Sequence, residues 1–286
     1  MGRNMLREIW FEIRKIAVQK KNYVMIFGHL FFLALCYIGF KTSNFRFFER
    51  DVADTIKFDN FQHFVDGLFF ARIGLVPTFL VLMPIFICTL AGDMVAGEIQ
   101  DGSLKLYMAR PRSRTRIILA KLSAIYLVNL LYCLYFAVLA IIIGICLRGY
   151  SGTQLVYLHG LGLGTEMVLM PAPQALACYF MTVIYYSISM MALGSIAFFF
   201  STIFDRMSGA MVSAITIYFV CYIVEKLPFA DKIEPYLLSK VMNGGSILWL
   251  TDIPYGRLVT NLSTLAIYIA FFSMLSIINF NVKDIK

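Results

Sequence analysis

Residues 117–147 read IILAKLSAIYLVNLLYCLYFAVLAIIIGICL, a run of 31 residues in which Lys121 is the only charged side chain. A bilayer core about 30 Å thick is crossed by roughly 20 apolar residues of a helix that rises about 1.5 Å per residue. The run is therefore long enough to span a membrane, and a tilt or an extension beyond the hydrocarbon takes up the excess length. An uninterrupted apolar run of this length is typical of membrane proteins.

Five other stretches have the same character, which gives six predicted spans in all. The spans are predicted at residues 23–40, 73–92, 117–147, 175–204, 208–224 and 261–280. Pro77 and Pro84 are expected to kink the second span. Of the 286 residues, 60% are apolar and 15% are charged, whereas soluble domains have about 45–50% and about 25%. We therefore predict a single all-α, polytopic membrane domain over residues 1–286, and not a soluble enzyme.

Basic residues are distributed unequally between the two sides that six crossings create. The side that holds both termini carries 15 Lys and Arg residues against seven acids, and the other side carries ten of each. Since basic residues are enriched on the cytoplasmic side, both termini and the loop at 93–116 are predicted to be cytoplasmic. The net charge of +8 then reflects topology and anionic headgroups, and does not indicate nucleic-acid binding.

Motifs of catalysis and of metal or nucleotide binding are missing. The sequence has no GxxxxGK[ST], HExxH, GxSxG or CxxC pattern, so we expect no catalytic residues, metal or cofactor in the chain itself. Inside the spans, His29 and Asn129 are the candidates for a role along a transport path or in helix packing. A hydrogen-bonded packing role is favoured for both, because no span supplies a carboxylate as a relay partner.

The loop between the second and third spans carries the most specific pattern. Residues 93–121 read DMVAGEIQDGSLKLYMARPRSRTRIILAK. The first part is predicted to form a short helix, with Asp101 and Lys105 in the favourable i,i+4 order. Pro111 interrupts this helix because proline has no N–H to donate, and the Ser113 hydroxyl is expected to cap the helix of the third span. A short helix joined by a rigid turn to a long one can act as a lever.

Residues 3–20 are predicted to form an amphipathic helix at the membrane surface. Apolar residues recur there at three- and four-residue spacing, with basic residues beside them. The apolar set is Leu6, Ile9, Trp10, Ile13, Ile16 and Ala17.

Eight residues of the loop follow a pattern that reads E-x-x-x-G-S-L, then P-x-S-R, then a lysine. They are Glu98, Gly102, Ser103, Leu104, Pro111, Ser113, Arg114 and Lys121. This pattern resembles the signature of ABC-type export permeases of the type-2 membrane-domain family. The chain ends in Phe280-Asn281-Val282-Lys283-Asp284-Ile285, which is similar to the F-x-x-K-D ending of the family, so that the resemblance covers the whole chain.

The resemblance implies a permease that works with a separate ABC ATPase subunit, which would bind ATP and Mg. The segment from Glu98 to Leu104, with Asp101 in it, would be a coupling helix that docks in a cleft of that subunit. Arg114 and Lys121 would pair with acids of the partner or with lipid phosphate. A second permease copy or a paralogue would complete a path lined by spans one, two and five, and the amphipathic helix would lie on the inner leaflet.

Two other functions stay open on the sequence. The chain could be an immunity or interaction scaffold that binds a partner without turnover. It could also be an intramembrane enzyme that processes lipids or peptides, although such an enzyme needs a nucleophile or a carboxylate pair inside the spans.

Overall fold

The structure is a computed structural model. It describes residues 2–42, 66–104, 113–150, 152–158, 166–228, 230, 232–250 and 252–283. Lys105 and Pro111 of the predicted coupling segment, and Asp284 and Ile285 of the C-terminal motif, lie outside the described residues.

Helices make up most of the described chain. The first, Gly2–Val18, is called the N-terminal helix. Six further helices of the described residues are long and apolar enough to cross a membrane, which confirms the predicted all-α polytopic class. They are called spans one to six and run over Lys20–Thr42, Gly67–Gln100, Arg114–Arg148, Ala172–Ile203, Met207–Val224 and Tyr255–Val282.

Span two changes its hydrogen bonding in the middle, where the sequence predicts kinks at Pro77 and Pro84. A π-helical turn, Thr78–Leu82, separates two α-helical pieces, and Met83 N–H donates to the Thr78 carbonyl five residues back. Pro84 has no N–H to offer the Leu80 carbonyl. The Tyr218 hydroxyl of span five donates to that carbonyl at 2.8 Å, which is how neighbouring helices make proline tolerable inside a membrane.

Span two is longer at both ends than the predicted residues 73–92. It begins at Gly67 because the Asp66 carboxylate caps it, accepting hydrogen bonds from the N–H groups of Leu68 and Phe69 at 3.1 and 3.0 Å. At the other end it continues as one α-helix to Gln100. The predicted start of a separate short helix near Asp93 is therefore wrong, although Ser103 and Leu104 are helical again beyond Gly102. Helical structure persists there because the side chains that follow Asp93 are buried against neighbouring helices.

The start of span two touches span three backbone to backbone. Gly67 N–H donates to the Gly149 carbonyl at 3.0 Å. A Cβ added to Gly67 or to Gly144 would lie less than 3.0 Å from backbone atoms of the other helix. Ala137 and Ala140 are buried on the same side of span three, so that small residues permit the close approach.

Short elements join the spans at this same end of the bundle. An antiparallel hairpin, Thr153–Leu158 with Glu166–Pro171, follows span three. This hairpin was not predicted from the sequence, because two six-residue strands are a weak signal between long apolar runs. Between spans five and six lie a short α-helix, Leu238–Met242, and a 3₁₀ helix, Asn243–Trp249, and most of their residues are buried.

Span four lies at the centre of the bundle and is the most buried of the six spans. Spans one, five and six bury few of their apolar side chains within the described chain, as expected of helices that contact lipid. Span five presents a face of small residues that includes Ala210 and Ala214, which are both buried. Ala210 lies next to Gly92 of span two, so this face packs within the chain.

Candidate functional site

Charged side chains collect at the end of the bundle opposite the hairpin, which we call the charged end. The N-terminal helix, the last turns of spans two, four and six and the first turn of span three come together there. Residues 92–100 of span two, which we call the hub segment, take part in several of the contacts at this end.

Glu98 of the hub segment accepts hydrogen bonds from two ammonium groups, those of Lys15 and Lys121. Lys121 also donates to Glu12 Oε2 at 3.3 Å. Glu98 is 7% exposed, Glu12 is 1% exposed and Lys121 is fully buried. Two acids and two lysines from three helices therefore form one compact network.

The charges of this network are tolerated away from water because they neutralise one another. An ion removed from water without compensation costs several kcal/mol, even after the protein relaxes. The arrangement therefore fixes three parts of the chain together: Lys15 on the N-terminal helix, Glu98 at the end of span two and Lys121 at the start of span three.

Three more contacts extend the network along the charged end. Arg116 Nε donates to Glu8 Oε2 at 2.9 Å, which is a second link between span three and the N-terminal helix. Asp93 of the hub segment pairs with Lys21 at the start of span one and accepts a hydrogen bond from Gln19 at 3.1 Å. Any displacement of the hub segment thus acts on the N-terminal helix and on spans one and three.

The hydroxyl of Ser201 in span four makes three hydrogen bonds to the backbone of the hub segment. Ser201 Oγ accepts hydrogen bonds from the N–H groups of Val95 and Ala96 at 3.1 and 2.9 Å, and donates to the Gly92 carbonyl at 2.7 Å. A serine hydroxyl has one donor and two acceptor sites, so all of its hydrogen-bonding capacity is used on the backbone of span two. Gly92 is packed against the backbone of Met211 on span five.

Replacing Ser201 with alanine is expected to lower the free energy of unfolding by about 2 kcal/mol, because three buried hydrogen bonds are lost. Amide hydrogen exchange at Val95 and Ala96 should also become faster, since their N–H groups lose an acceptor. Ser263→Ala is the control, because the Ser263 hydroxyl bonds only to the Thr260 carbonyl of its own helix. Unchanged exchange at the two amides in Ser201→Ala would contradict the assignment.

The hub segment ends in an exposed turn made of Asp101, Gly102 and Ser103. The N–H of Asp101 donates to the Gly97 carbonyl at 2.9 Å and that of Gly102 to the Ile99 carbonyl at 3.0 Å. Gly102 has a φ of 70°, a left-handed conformation that glycine adopts without steric cost and that often ends a helix.

The predicted coupling residues therefore fall into separate environments. Asp101, Gly102 and Ser103 are exposed on the turn, whereas Leu104 is fully buried beside it. Glu98 is also buried, in the network, and does not present its carboxylate to a partner as the resemblance implied.

Lys121 and Ser113 differ from their expected roles, and Arg114 binds groups of its own chain. Arg114 Nη1 donates to the Lys283 carbonyl at 2.7 Å and to two other carbonyls at the end of span six. The fully buried Lys121 is paired with acids of its own chain and is not available to a partner, whereas the expected pairing of Arg114 with partner acids or lipid phosphate stays a prediction. Ser113 occupies the N-cap position, but its hydroxyl caps nothing. Its carbonyl instead accepts from the N–H groups of Arg116 and Ile117.

Sequence reasoning missed Glu12, Lys15 and Ser201. The two acids of the N-terminal helix, Glu8 and Glu12, are one turn apart in an otherwise basic segment. That spacing could have indicated an acidic face turned towards the basic start of span three. Ser201 had no comparable signal, because hydroxyl residues recur along span four.

The two candidates inside the spans are both packing residues. Asn129 donates to the Ser187 carbonyl of span four at 2.9 Å, which confirms the predicted interhelical hydrogen bond. His29 is buried and stacks on Phe136 of span three with 4.1 Å between ring centroids. His29 therefore packs against span three in this structure, and its expected hydrogen bond stays a prediction. Among the described residues, no group of three His, Cys, Asp or Glu could hold a metal ion.

Comparison with known proteins places these features in one family. The family model described as ABC-2 family transporter protein matches residues 11–233. The matched range contains the second half of the N-terminal helix, spans one to five, the hub segment and the exposed turn. No curated protein sequence matches the chain.

Proposed function

Because the chain belongs to the ABC-2 family of transporter proteins, we propose that it couples ATP hydrolysis in a separate ABC ATPase subunit to export of a substrate. The chain is a multi-pass membrane permease of the ABC type, and its family functions in transport. In the proposal the ATPase subunit binds ATP and Mg, and the permease contributes no catalytic residue. The membrane is a bacterial inner membrane, with the charged end and both termini on the cytoplasmic side.

The observation that carries the proposal is the unbroken helix that joins the exposed turn at 101–103 to the interior of span two. A helix transmits a displacement along its axis far better than a flexible loop. When two ATPase subunits close on ATP, they push the turn, and the hub segment moves with it. Asp93, Glu98 and the backbone at 92–96 then carry that movement to spans one, three and four through the contacts described above.

A second permease, either another copy or a paralogue, completes the transport path in this proposal. Spans one and five are mostly exposed in the single chain, which is compatible with contacts to lipid and to a second permease. The path runs along spans one, two and five, and switches its opening when the hub segment moves.

Gly102→Trp tests the docking surface. We expect this variant to insert normally but to lose at least about tenfold in copurification with its ATPase subunit, because a central bulky residue blocks a close-packed contact. A Cβ at Gly102 meets no atom of the described residues within 4 Å, so the start of the new side chain is accommodated and we expect the indole to clash with the partner. The measurement is a pull-down from native membranes with the ATPase identified by mass spectrometry.

Two controls separate docking from backbone strain. Gly102→Asn keeps the turn small and tolerates a positive φ, so it should retain the ATPase. Gly149→Trp places the same bulk at a glycine with a φ of 73° and open space around its Cβ, at the opposite end of the bundle. The docking assignment is wrong if Gly102→Trp retains both the ATPase and substrate-stimulated ATP hydrolysis.

A further inference from the structure

The N-terminal helix separates its charges between two faces. Its acids, Glu8 and Glu12, are buried and paired with Arg116 and Lys121 of span three. Arg7 and Arg14 are exposed on the other side of the helix. Among the described side chains of this helix, residues 5–18, no acid is exposed, so the outer face is purely cationic and apolar.

Large apolar side chains share this outer face. Leu6 is 69% exposed and Trp10 is 67% exposed. Arg7, Trp10 and Arg14 follow one another at spacings of three and four residues, which places them side by side on a helix. The face therefore presents an indole and a leucine directly beside two guanidinium groups.

The position of the helix in the chain determines the surroundings of this face. Span one begins at Lys20, two residues after the N-terminal helix ends, so the helix is held where a membrane span starts. A helix with apolar residues beside basic ones binds in the headgroup region, with its apolar side in the acyl boundary and its cations on anionic lipid. If this face were in water, the apolar side chains of Leu6 and Trp10 would stay exposed. If it bound an acidic protein surface, the arginines alone would account for the contact and the two apolar side chains would have no role.

We propose that the outer face of the N-terminal helix is a binding site for anionic phospholipid headgroups, with Arg7 and Arg14 on the phosphates and Leu6 and Trp10 in the acyl boundary. The opposite face of the same helix holds Glu98 through Lys15, and Lys121 through Glu12. The helix thus contacts anionic headgroups with its outer face and the hub segment, through Lys15 and Glu98, with its inner face. This site is independent of the proposed ATPase coupling, since it requires only the chain and a bilayer.

Trp10 supplies its own reporter, because the chain has two tryptophans and Trp249→Phe leaves Trp10 alone. The full-length Trp249→Phe chain is reconstituted in equimolar phosphatidylglycerol and phosphatidylcholine, with brominated acyl chains on one lipid or the other. We expect brominated phosphatidylglycerol to quench Trp10 about twofold more than brominated phosphatidylcholine. If Trp249→Phe does not insert, the difference in emission between the unmodified chain and Trp10→Phe reports the same quantity.

Charge variants show which residues select the lipid. The double variant Arg7→Gln and Arg14→Gln should still be quenched, since Trp10 stays in the bilayer, but equally by both lipids. Arg206→Gln is the matched control, because Arg206 is an exposed arginine at the charged end outside the N-terminal helix, and it should keep the preference.

Three results would overturn the proposal. They are equal quenching by both lipids in the Trp249→Phe chain, absence of quenching by either lipid, and loss of quenching when a purified ATPase subunit is added. The last result would assign the face to the ATPase. Since the quenching assay uses no ATP hydrolysis, failure of the lipid site leaves the permease function untouched, and failure of the Gly102 test leaves the lipid site untouched.

Discussion

Replacing Lys121 with methionine is expected to lower the free energy of unfolding by about 3–5 kcal/mol, the cost of removing one partner from a buried ion pair. Methionine preserves most of the volume of the side chain, so the loss of charge dominates over a cavity. Lys121 is the ammonium that lies between Glu12 and Glu98. Without it the two carboxylates face each other near Lys15 alone, and the N-terminal helix loses its main attachment to span three.

The measurement is thermal unfolding of the purified chain in detergent, followed by circular dichroism. Lys240→Met is the matched control, because Lys240 also pairs with a glutamate, Glu234, but the two side chains are 43% and 30% exposed. Exposed pairs contribute only about 0–1 kcal/mol, so the control should unfold at nearly the temperature of the unmodified chain. Equal shifts for the two lysine variants would mean that the buried network does not stabilise the protein.

A second substitution tests whether the charges act as one unit. Glu98→Gln added to Lys121→Met removes one of the two carboxylates that Lys121 neutralises in the unmodified chain. Part of the lost stability should therefore return. Independent residues would give additive losses, whereas a shared network gives a coupling energy of about 0.5–3 kcal/mol. Additive losses would show that Glu98 and Lys121 do not depend on each other.

Gly144→Ala is expected to destabilise the chain by about 3 kcal/mol, at the upper end of the range for overpacking. The new Cβ would lie less than 3.0 Å from the carbonyl oxygen of Gly67. Both sides of this contact are backbone, so no side chain can rotate away and the two helices must move apart. That movement would also lengthen the hydrogen bond that the Gly67 N–H donates to the Gly149 carbonyl.

Gly28→Ala provides the control for a glycine in a membrane helix. A Cβ at Gly28 of span one would meet nothing within 4 Å, so alanine should be neutral or slightly stabilising through its higher helix propensity. The comparison uses the same thermal unfolding assay. If Gly144→Ala is as stable as Gly28→Ala, spans two and three do not make the close contact.

The six spans and their order were predictable because an apolar run of about 20 residues is a local property of the sequence. The ends of the spans were not predictable by the same rule, which stops at the first charged residues. Span two passes Asp93 and Glu98 because lysines from elsewhere in the chain neutralise both carboxylates. The exposed turn at Gly102 was not predicted, because the i,i+4 spacing of Asp101 and Lys105 favoured a helix through these residues.

The sequence by itself determined that the chain crosses a membrane six times and that its net positive charge lies on one side. Only the tertiary structure decided which charges pair, because Lys15 and Glu98 are 83 positions apart. The same holds for Ser201, which lies more than 100 positions after the backbone N–H groups that it binds. The length and apolarity of a segment depend on its own residues. The partner of a buried charge depends on how distant helices pack, and a desolvated lysine or glutamate has a stable place only where that packing brings it an opposite charge.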